Sequence, residues 1–88
     1  MPEGYRVRFR SRSARKDLDD LDDETYLRIA AAIFHLRENP RPPGTEKLTG
    51  QAAYRIRISN FRILYTVDDK AKEVRIEAVR KRDERTYD

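Results

Sequence analysis

The sequence predicts an α+β domain of element order β-α-α-β-β-β, with an N-terminal αα-hairpin packed on one face of an antiparallel sheet. Two observations support this class. Apolar and polar residues alternate with a period of two in four segments, as in half-buried strands. Between the first and second of these segments, apolar residues recur at helical spacing. Helices followed by a run of strands are typical of an α+β domain. The 88 residues are enough for one domain, at 1–88.

The N-terminal half is predicted to hold one strand and two helices. In residues 5–10 three apolar residues alternate with three arginines, which indicates a strand. Ser11 and Ser13 are candidate N-caps of a short first helix. The acidic residues 22–24 form a turn and the start of a longer second helix, where negative charge complements the helix dipole. Asn39-Pro40 ends that helix, and the short link between the two helices predicts an αα-hairpin.

The C-terminal half is predicted to form a meander of three strands. A loop at 40–50 with three prolines and two glycines precedes it. Ser59-Asn60 and Asp68-Asp69-Lys70 are turn signals that separate the strands. The three strands lie at 54–58, 61–67 and 74–79.

The turn at Ser59-Asn60 predicts a cluster of arginines. If this turn has two residues, Arg57 lies directly opposite Arg62, and Arg55 lies two residues along the same strand face. The apolar partners then fall on the helix-covered face. Like charges opposite one another destabilise a sheet, and an anion would relieve the repulsion. The planar fork of arginine suits phosphate. The alternative is a solvated outer face whose charges protect the sheet edge.

Composition narrows the class of partner and the compartment. The net charge is +4 and the pI about 9.6, which favours polyanionic partners. The absence of cysteine excludes a disulfide framework and thiolate metal sites. No apolar signal segment opens the sequence, and the longest apolar run, at 29–34, is far too short to span a membrane. We therefore expect a cytoplasmic protein with no membrane partner.

A basic tail with one tyrosine follows the last predicted strand. Lys81 and Arg82 come directly after it, and Tyr87 lies five residues beyond Arg82. A tail that folds back over the sheet would bring the phenol to the arginine cluster, where cations favour the phenolate form. Arginine does not deprotonate in proteins, so it is a stabiliser of developing charge and a poor general base. Tyr87 and Lys81 are the candidate proton-transfer groups.

Other polar residues allow several interpretations. His35 is the single histidine, so a paired-histidine nuclease is excluded, and we expect it to be exposed or to pack. The acidic run 17–24 is interpreted as caps and a solvated turn, with a metal site as the alternative. Arg6, Arg8 and Arg10 of the first strand can contact ribosomal RNA phosphates, face solvent or engage a protein partner.

An ordered set of motifs resembles the RelE/ParE toxin superfamily of type II toxin–antitoxin systems, in its RelE-like branch. The resemblance runs over nearly the whole chain. The motifs are Tyr54-Arg-Ile-Arg-Ile58, Phe61-Arg-Ile-Leu-Tyr65, the Asp68-Asp69 turn, Lys81-Arg82-Asp83-Glu84 with Tyr87, and the loop from Asn39 to Gly50 with Lys47-Leu-Thr-Gly50.

The resemblance implies a RelE-like ribonuclease fold and a toxin that cleaves mRNA in the ribosomal A site. In RelE-type toxins the 2′-hydroxyl attacks the adjacent phosphate without a metal, so no metal and no cofactor is implied. The implied partners are a cognate antitoxin protein, the ribosome and mRNA. The implied catalytic residues are Arg57, Arg62, Arg82 and Tyr87, and the implied RNA-binding residues are Arg55, Lys81 and Lys47.

Two other functions stay open on the same fold. One is a ParE-like inhibitor of DNA gyrase, which does not need an RNA-cleaving set of arginines and a tyrosine. The other is a non-catalytic module that binds an antitoxin or RNA. Fold resemblance alone does not separate these functions, so the choice depends on the site.

Overall fold

The computed structural model describes residues 4–48 and 53–81, which form two helices and one mixed sheet of five strands, and the predicted α+β class is confirmed. No helix in these two ranges is long and apolar enough to cross a membrane. The elements are β1 (Arg6–Phe9), α1 (Arg12–Asp19), α2 (Asp23–His35), β2 (Glu46–Lys47), β3 (Ala53–Ile58), β4 (Phe61–Asp68) and β5 (Glu73–Lys81).

Side-chain caps fix the start of both helices, as predicted. The hydroxyl of Ser11 accepts a hydrogen bond from the backbone N–H of Ala14 at 3.2 Å. The carboxylate of Asp22 accepts from the backbone N–H of Thr25 at 3.2 Å. Each cap satisfies a backbone donor that has no partner within its helix. The caps therefore set where each arm of the αα-hairpin begins.

The sheet has the strand order β1-β5-β4-β3-β2, and it departs from the prediction at both edges, by a parallel pairing at one and by an additional antiparallel strand at the other. β3, β4 and β5 form the predicted antiparallel meander. β1 instead pairs in parallel with β5, and the two-residue β2 adds a fifth strand beside β3. Alternation within one segment reports which residues are buried and carries no information on strand direction. The parallel pairing arises because β3 runs in the same direction as β1, and the two meander turns give β5 that direction too.

The predicted register of the β3–β4 hairpin is confirmed residue by residue. Tyr54 pairs with Tyr65, and Arg57 pairs with Arg62. The turn has two residues, and Ser59 adopts a left-handed φ of 55°, as two-residue hairpin turns require. With this two-residue turn, the odd-numbered residues of β3 lie on the same face as the even-numbered residues of β4. The hairpin therefore separates an apolar face from an arginine face.

The core lies between the αα-hairpin and the apolar face of the sheet. Tyr65 is fully buried at its centre, and its hydroxyl donates to the backbone carbonyl of Pro40 at 2.7 Å. Its ring stacks on Tyr54 with 5.7 Å between centroids. Other buried core residues are Leu18, Ile29, Ile33 and Leu36 from the helical half, and Ile56, Ile63, Val67, Val74, Ile76 and Val79 from the sheet.

Candidate anion-binding face of the sheet

Three arginines lie side by side on the sheet face opposite the helices. Arg62 of β4 pairs with Arg57 of β3 on one side and with Arg80 of β5 on the other. Residues directly opposite one another on neighbouring strands have Cα atoms about 4.5–5.5 Å apart, so the three span about 10 Å across the strands. We call these three residues the arginine row.

The arginine row lacks direct ion pairs among the residues that the structure describes. None of its members forms an ion pair there, whereas other arginines of the same face do. The Nε of Arg62, at the centre of the row, is buried without a hydrogen-bond partner in that part of the chain. A buried donor left unpaired costs free energy. The centre of the row is thus a charged donor with unmet binding capacity.

Arg55 was predicted to belong to this cluster, but the structure pairs it with an acid. Its Nε donates to the carboxylate of Glu46 at 2.9 Å, and its terminal nitrogen contacts the same oxygen. This hydrogen bond lowers the pKa of Glu46, and the positive charge of Arg57 lowers it further. The short strand β2 places Glu46 opposite Arg55. This pairing was not predicted, because a strand of two residues within a proline-rich loop leaves no alternation pattern in the sequence. Arg55 therefore lies next to the arginine row, but its charge is neutralised by Glu46.

Arg80 was missed as a site residue because the last strand was predicted to end at residue 79, whereas β5 extends to Lys81 and contains an irregularity that turns Arg80 to the outer face. Tyr65 pairs with Ile76 and Leu64 pairs with Ala78, so Glu77 is an extra residue on β5. A one-residue bulge exchanges the faces of all residues that follow it. Strict alternation would place Arg80 on the helix-covered face, and the bulge places it beside Arg62. The signal was present in the two consecutive apolar residues Ala78-Val79, which are both buried.

The two lysines of the predicted RNA-binding set do not join the arginine row. Lys47 pairs with Tyr54, and Lys81 pairs with Phe61. Tyr54 and Phe61 pack against the core, so the register assigns both lysines to the helix-covered face. The bulge accounts for Lys81, because it exchanges the positions of Lys81 and Arg80. Contact of Lys47 and Lys81 with RNA stays a prediction, without support from the register.

Two predicted catalytic residues, Arg82 and Tyr87, lie outside the residues that the structure describes. The same holds for Thr49 and Gly50 of the loop motif. The structure therefore brings together Arg57 and Arg62 of the predicted catalytic set and adds Arg80 to them.

Acidic partners account for arginines elsewhere on the outer face. Arg8 and Arg75 both contact Glu73, at 3.4 and 3.1 Å, and Arg10 contacts Glu77 at 2.8 Å. These pairs lie at the β1 edge of the sheet, on the part of β5 that precedes Arg80. The outer face is thus divided into a neutralised region and a region of uncompensated positive charge.

The acidic run 17–24 serves the fold. The carboxylate of Asp17 accepts from the backbone N–H of Val79 at 3.2 Å, which satisfies β5 beyond the end of β1. Asp19 and Asp20 pair with basic residues one turn earlier, and Asp22 is a cap. No three acidic or histidine side chains within 4–48 and 53–81 are grouped as a metal site would need. His35 is exposed in the last turn of α2, as predicted.

The chemistry available to the arginine row is binding and charge stabilisation. Each guanidinium offers a planar fork of N–H donors that matches two phosphate oxygens. Three such forks in a line can hold a polyanion and stabilise charge that develops on a phosphoryl group. Arginine keeps its proton, so any proton transfer has to come from another group.

Comparison with known proteins places the chain in a family. The family model described as ParE toxin of type II toxin–antitoxin system, parDE, matches residues 5–86. The comparison with curated proteins gave no match.

Solved structures of RelE toxins share the fold. An archaeal RelE–RelB complex from Pyrococcus horikoshii OT3 is 26% identical, with a TM-score of 0.78 over 92% of this chain and 98% of that chain. The toxin–antitoxin complex RelBE2 from Mycobacterium tuberculosis is 28% identical, with a TM-score of 0.77 over 90% and 99%. The isolated E. coli RelE toxin is 26% identical, with a TM-score of 0.78 over 90% and 85%.

The match to the family model covers nearly the whole chain, and the solved structures agree with it in fold. The resemblance inferred from the motifs is therefore confirmed. The chain belongs to the RelE/ParE superfamily and is a toxin of a type II toxin–antitoxin module, structurally close to RelE.

Proposed function

We propose that this toxin is an endoribonuclease that cleaves mRNA in the ribosomal A site, in the cytoplasm, and so arrests translation and growth. The observation that supports this most strongly is the arginine row, with Arg62 between Arg57 and Arg80. A sheet gains nothing in stability from three like charges in line. A phosphate backbone would compensate all three.

The proposed reaction is transesterification within the RNA. The 2′-oxygen loses its proton and bonds to the adjacent phosphorus, while the bond from phosphorus to the 5′-oxygen breaks and that oxygen takes up a proton. The products are a 2′,3′-cyclic phosphate and a 5′-hydroxyl end. Arg57 and Arg62 would stabilise the charge that grows on the phosphoryl oxygens. No step in this scheme requires a metal.

Proton transfer is assigned to groups outside the row. Arginine is a poor base, and by resemblance to RelE-type toxins we propose Tyr87 as an acid–base residue with Arg82 as a further charge stabiliser. Lys81, the last residue of β5, is the other candidate proton-transfer group, and its register places it on the helix-covered face. These assignments come from the order of residues in the tail.

A cognate antitoxin is the proposed protein partner, and the ribosome with its mRNA is the proposed target. Two of the similar solved structures are toxin–antitoxin complexes, of archaeal RelE with RelB and of the RelBE2 pair. On α2, Leu27 and Phe34 expose 67% and 55% of their surfaces, which is unusual for large apolar residues. A partner that covers them would extend the small core of an 88-residue domain.

One observation favours a second candidate function. The matching family model carries the ParE name, so inhibition of DNA gyrase on the same fold is the competing proposal. A non-catalytic module that binds antitoxin or RNA is a third.

The decisive experiment runs two assays on the same purified full-length protein. Ribosomes programmed with a defined mRNA are incubated with the protein, and cleavage is mapped by primer extension. DNA gyrase supercoiling is measured in parallel. We expect cleavage within the A-site codon and unaffected supercoiling. Inhibition of supercoiling without mRNA cleavage would support the gyrase inhibitor, and neither effect would support the non-catalytic module.

A further inference from the structure

Arg80 differs from the other arginines of its strand in what surrounds it. On β5, Arg75 has Glu73 within 3.1 Å, and Glu77 serves Arg10 of the neighbouring strand. Arg80 makes no ion pair in the described part of the chain, and its cross-strand partner is Arg62. Acidic partners on β5 thus lie before the bulge or at it, and no described acidic residue forms an ion pair with Arg80, which follows the bulge.

We propose that Arg80 is a third phosphate-binding residue, and that single-stranded RNA lies across the strands along the arginine row. This inference deepens the proposed function and depends on RNA being the ligand of the sheet. The RNA would run from Arg57 on β3, over Arg62, to Arg80 on β5.

The direction follows from the geometry of the row. Its three members are directly opposite one another in register, so the line that joins them is perpendicular to the strands and about 10 Å long. One phosphate occupies one arginine fork. Three forks spread over this length therefore suit consecutive phosphates of one strand better than a single anion. A strand of RNA that ran parallel to β4 would leave Arg57 and Arg80 without phosphate.

Arg62 supplies an energetic reason for the same direction. It is repelled from both sides, by Arg57 and by Arg80, and its buried Nε is unpaired. A phosphate on Arg62 alone would still leave Arg57 and Arg80 uncompensated. Phosphates at all three positions remove both repulsions at once.

The test compares Arg80→Gln with Arg75→Gln in the full-length protein. Both substitutions remove one positive charge from the outer face of β5, but Arg75 is already paired with Glu73. Binding of a fluorescein-labelled single-stranded RNA is followed by anisotropy over a series of salt concentrations. Each phosphate contact contributes about 0.7 to the slope of log K against log salt for single strands.

We expect Arg80→Gln to lower the magnitude of this slope by about 0.7 and to weaken binding at low salt, while Arg75→Gln leaves the slope unchanged. Equal slopes for Arg80→Gln and the wild-type protein would overturn the inference, as would equal losses in both variants or no salt-dependent RNA binding at all. Urea unfolding of each variant verifies that it is folded.

Cleavage of ribosome-bound mRNA separates this inference from the proposed function. Loss of RNA affinity in Arg80→Gln, with no cleavage by the wild-type protein, would support the RNA path and contradict the nuclease. Cleavage by the wild-type protein, with an unchanged salt slope in Arg80→Gln, would support the nuclease and contradict the RNA path.

Discussion

At the scale of single residues, Arg62 combines three unfavourable features in one side chain. It faces an arginine on each neighbouring strand, its Nε is buried, and that donor lacks a partner among the described residues. Each of these features lowers stability, and a bound anion would compensate the repulsion between the arginines. The described residues therefore leave a cost at this position that an anionic ligand would offset.

Replacement of Arg62 by methionine should raise the free energy of unfolding of the ligand-free protein. Methionine keeps an unbranched stem for packing and removes both repulsions and the unpaired donor, so we expect a gain of about 1 kcal/mol. Urea unfolding measures it. A comparable gain from Arg75→Met, where the arginine is ion-paired, would show that the effect is not specific to the row.

Glu46 is ion-paired with Arg55 beside the arginine row, so removal of the charge of Glu46 should strengthen RNA binding. We expect Glu46→Gln to tighten binding of single-stranded RNA and to add up to about 0.7 to the magnitude of the salt slope, because Arg55 becomes available to phosphate. Stability should change little, because exposed ion pairs contribute little to the free energy of unfolding.

Protonation of Glu46 at low pH should break the ion pair with Arg55, as the substitution Glu46→Gln does. The pKa of Glu46 is lowered in the fold by Arg55, so the contribution of the pair to stability is present above the unfolded pKa and is lost as the pH falls through the folded pKa. RNA affinity that falls in Glu46→Gln would contradict the proposed role of this carboxylate.

At the scale of elements, β4 connects the core to the site. Alternate residues of this one strand place Tyr65 against the helices and Arg62 on the outer face. The buried hydroxyl of Tyr65 donates to Pro40 and lies 3.4 Å from the hydroxyl of Thr45, so it anchors the loop that leads to β2. That loop leads directly to Glu46 at the start of β2, so packing in the core helps to position a charge on the opposite face of the sheet.

Removal of the Tyr65 hydroxyl should destabilise this connection. In Tyr65→Phe the buried carbonyl of Pro40 loses its donor, which we expect to cost about 1–3 kcal/mol in urea unfolding. The matched control is Tyr5→Phe, because the Tyr5 hydroxyl donates to the exposed Asp69 at 2.7 Å and water can replace it. A loss in Tyr5→Phe as large as that in Tyr65→Phe would contradict the role of burial.

At the scale of the whole molecule, the sequence was sufficient where contacts are local in the chain. The turn at Ser59-Asn60 fixed which residues of β3 and β4 face each other, so the pairing of Arg57 with Arg62 could be predicted. The starts of the helices could be predicted for the same reason, because Ser11 and Asp22 accept hydrogen bonds from backbone N–H groups three residues later.

Features that depend on distant or irregular contacts were not predicted. The parallel pairing of β1 with β5 joins opposite ends of the chain, and no local pattern reports it. The bulge at Glu77 exchanges the faces of Arg80 and Lys81, so the pairing of Arg80 with Arg62 does not follow from strict alternation. The pairing of Arg55 with Glu46 depended on a strand of two residues.

The most direct single measurement is cleavage of ribosome-bound mRNA by Arg62→Met compared with the wild-type protein. We expect A-site cleavage by the wild-type protein and a rate lower by about 100-fold or more in the variant, as for the loss of one charge-stabilising donor, although the variant is the more stable protein. Cleavage at the wild-type rate by a folded Arg62→Met variant would contradict the assignment of the arginine row as the catalytic surface.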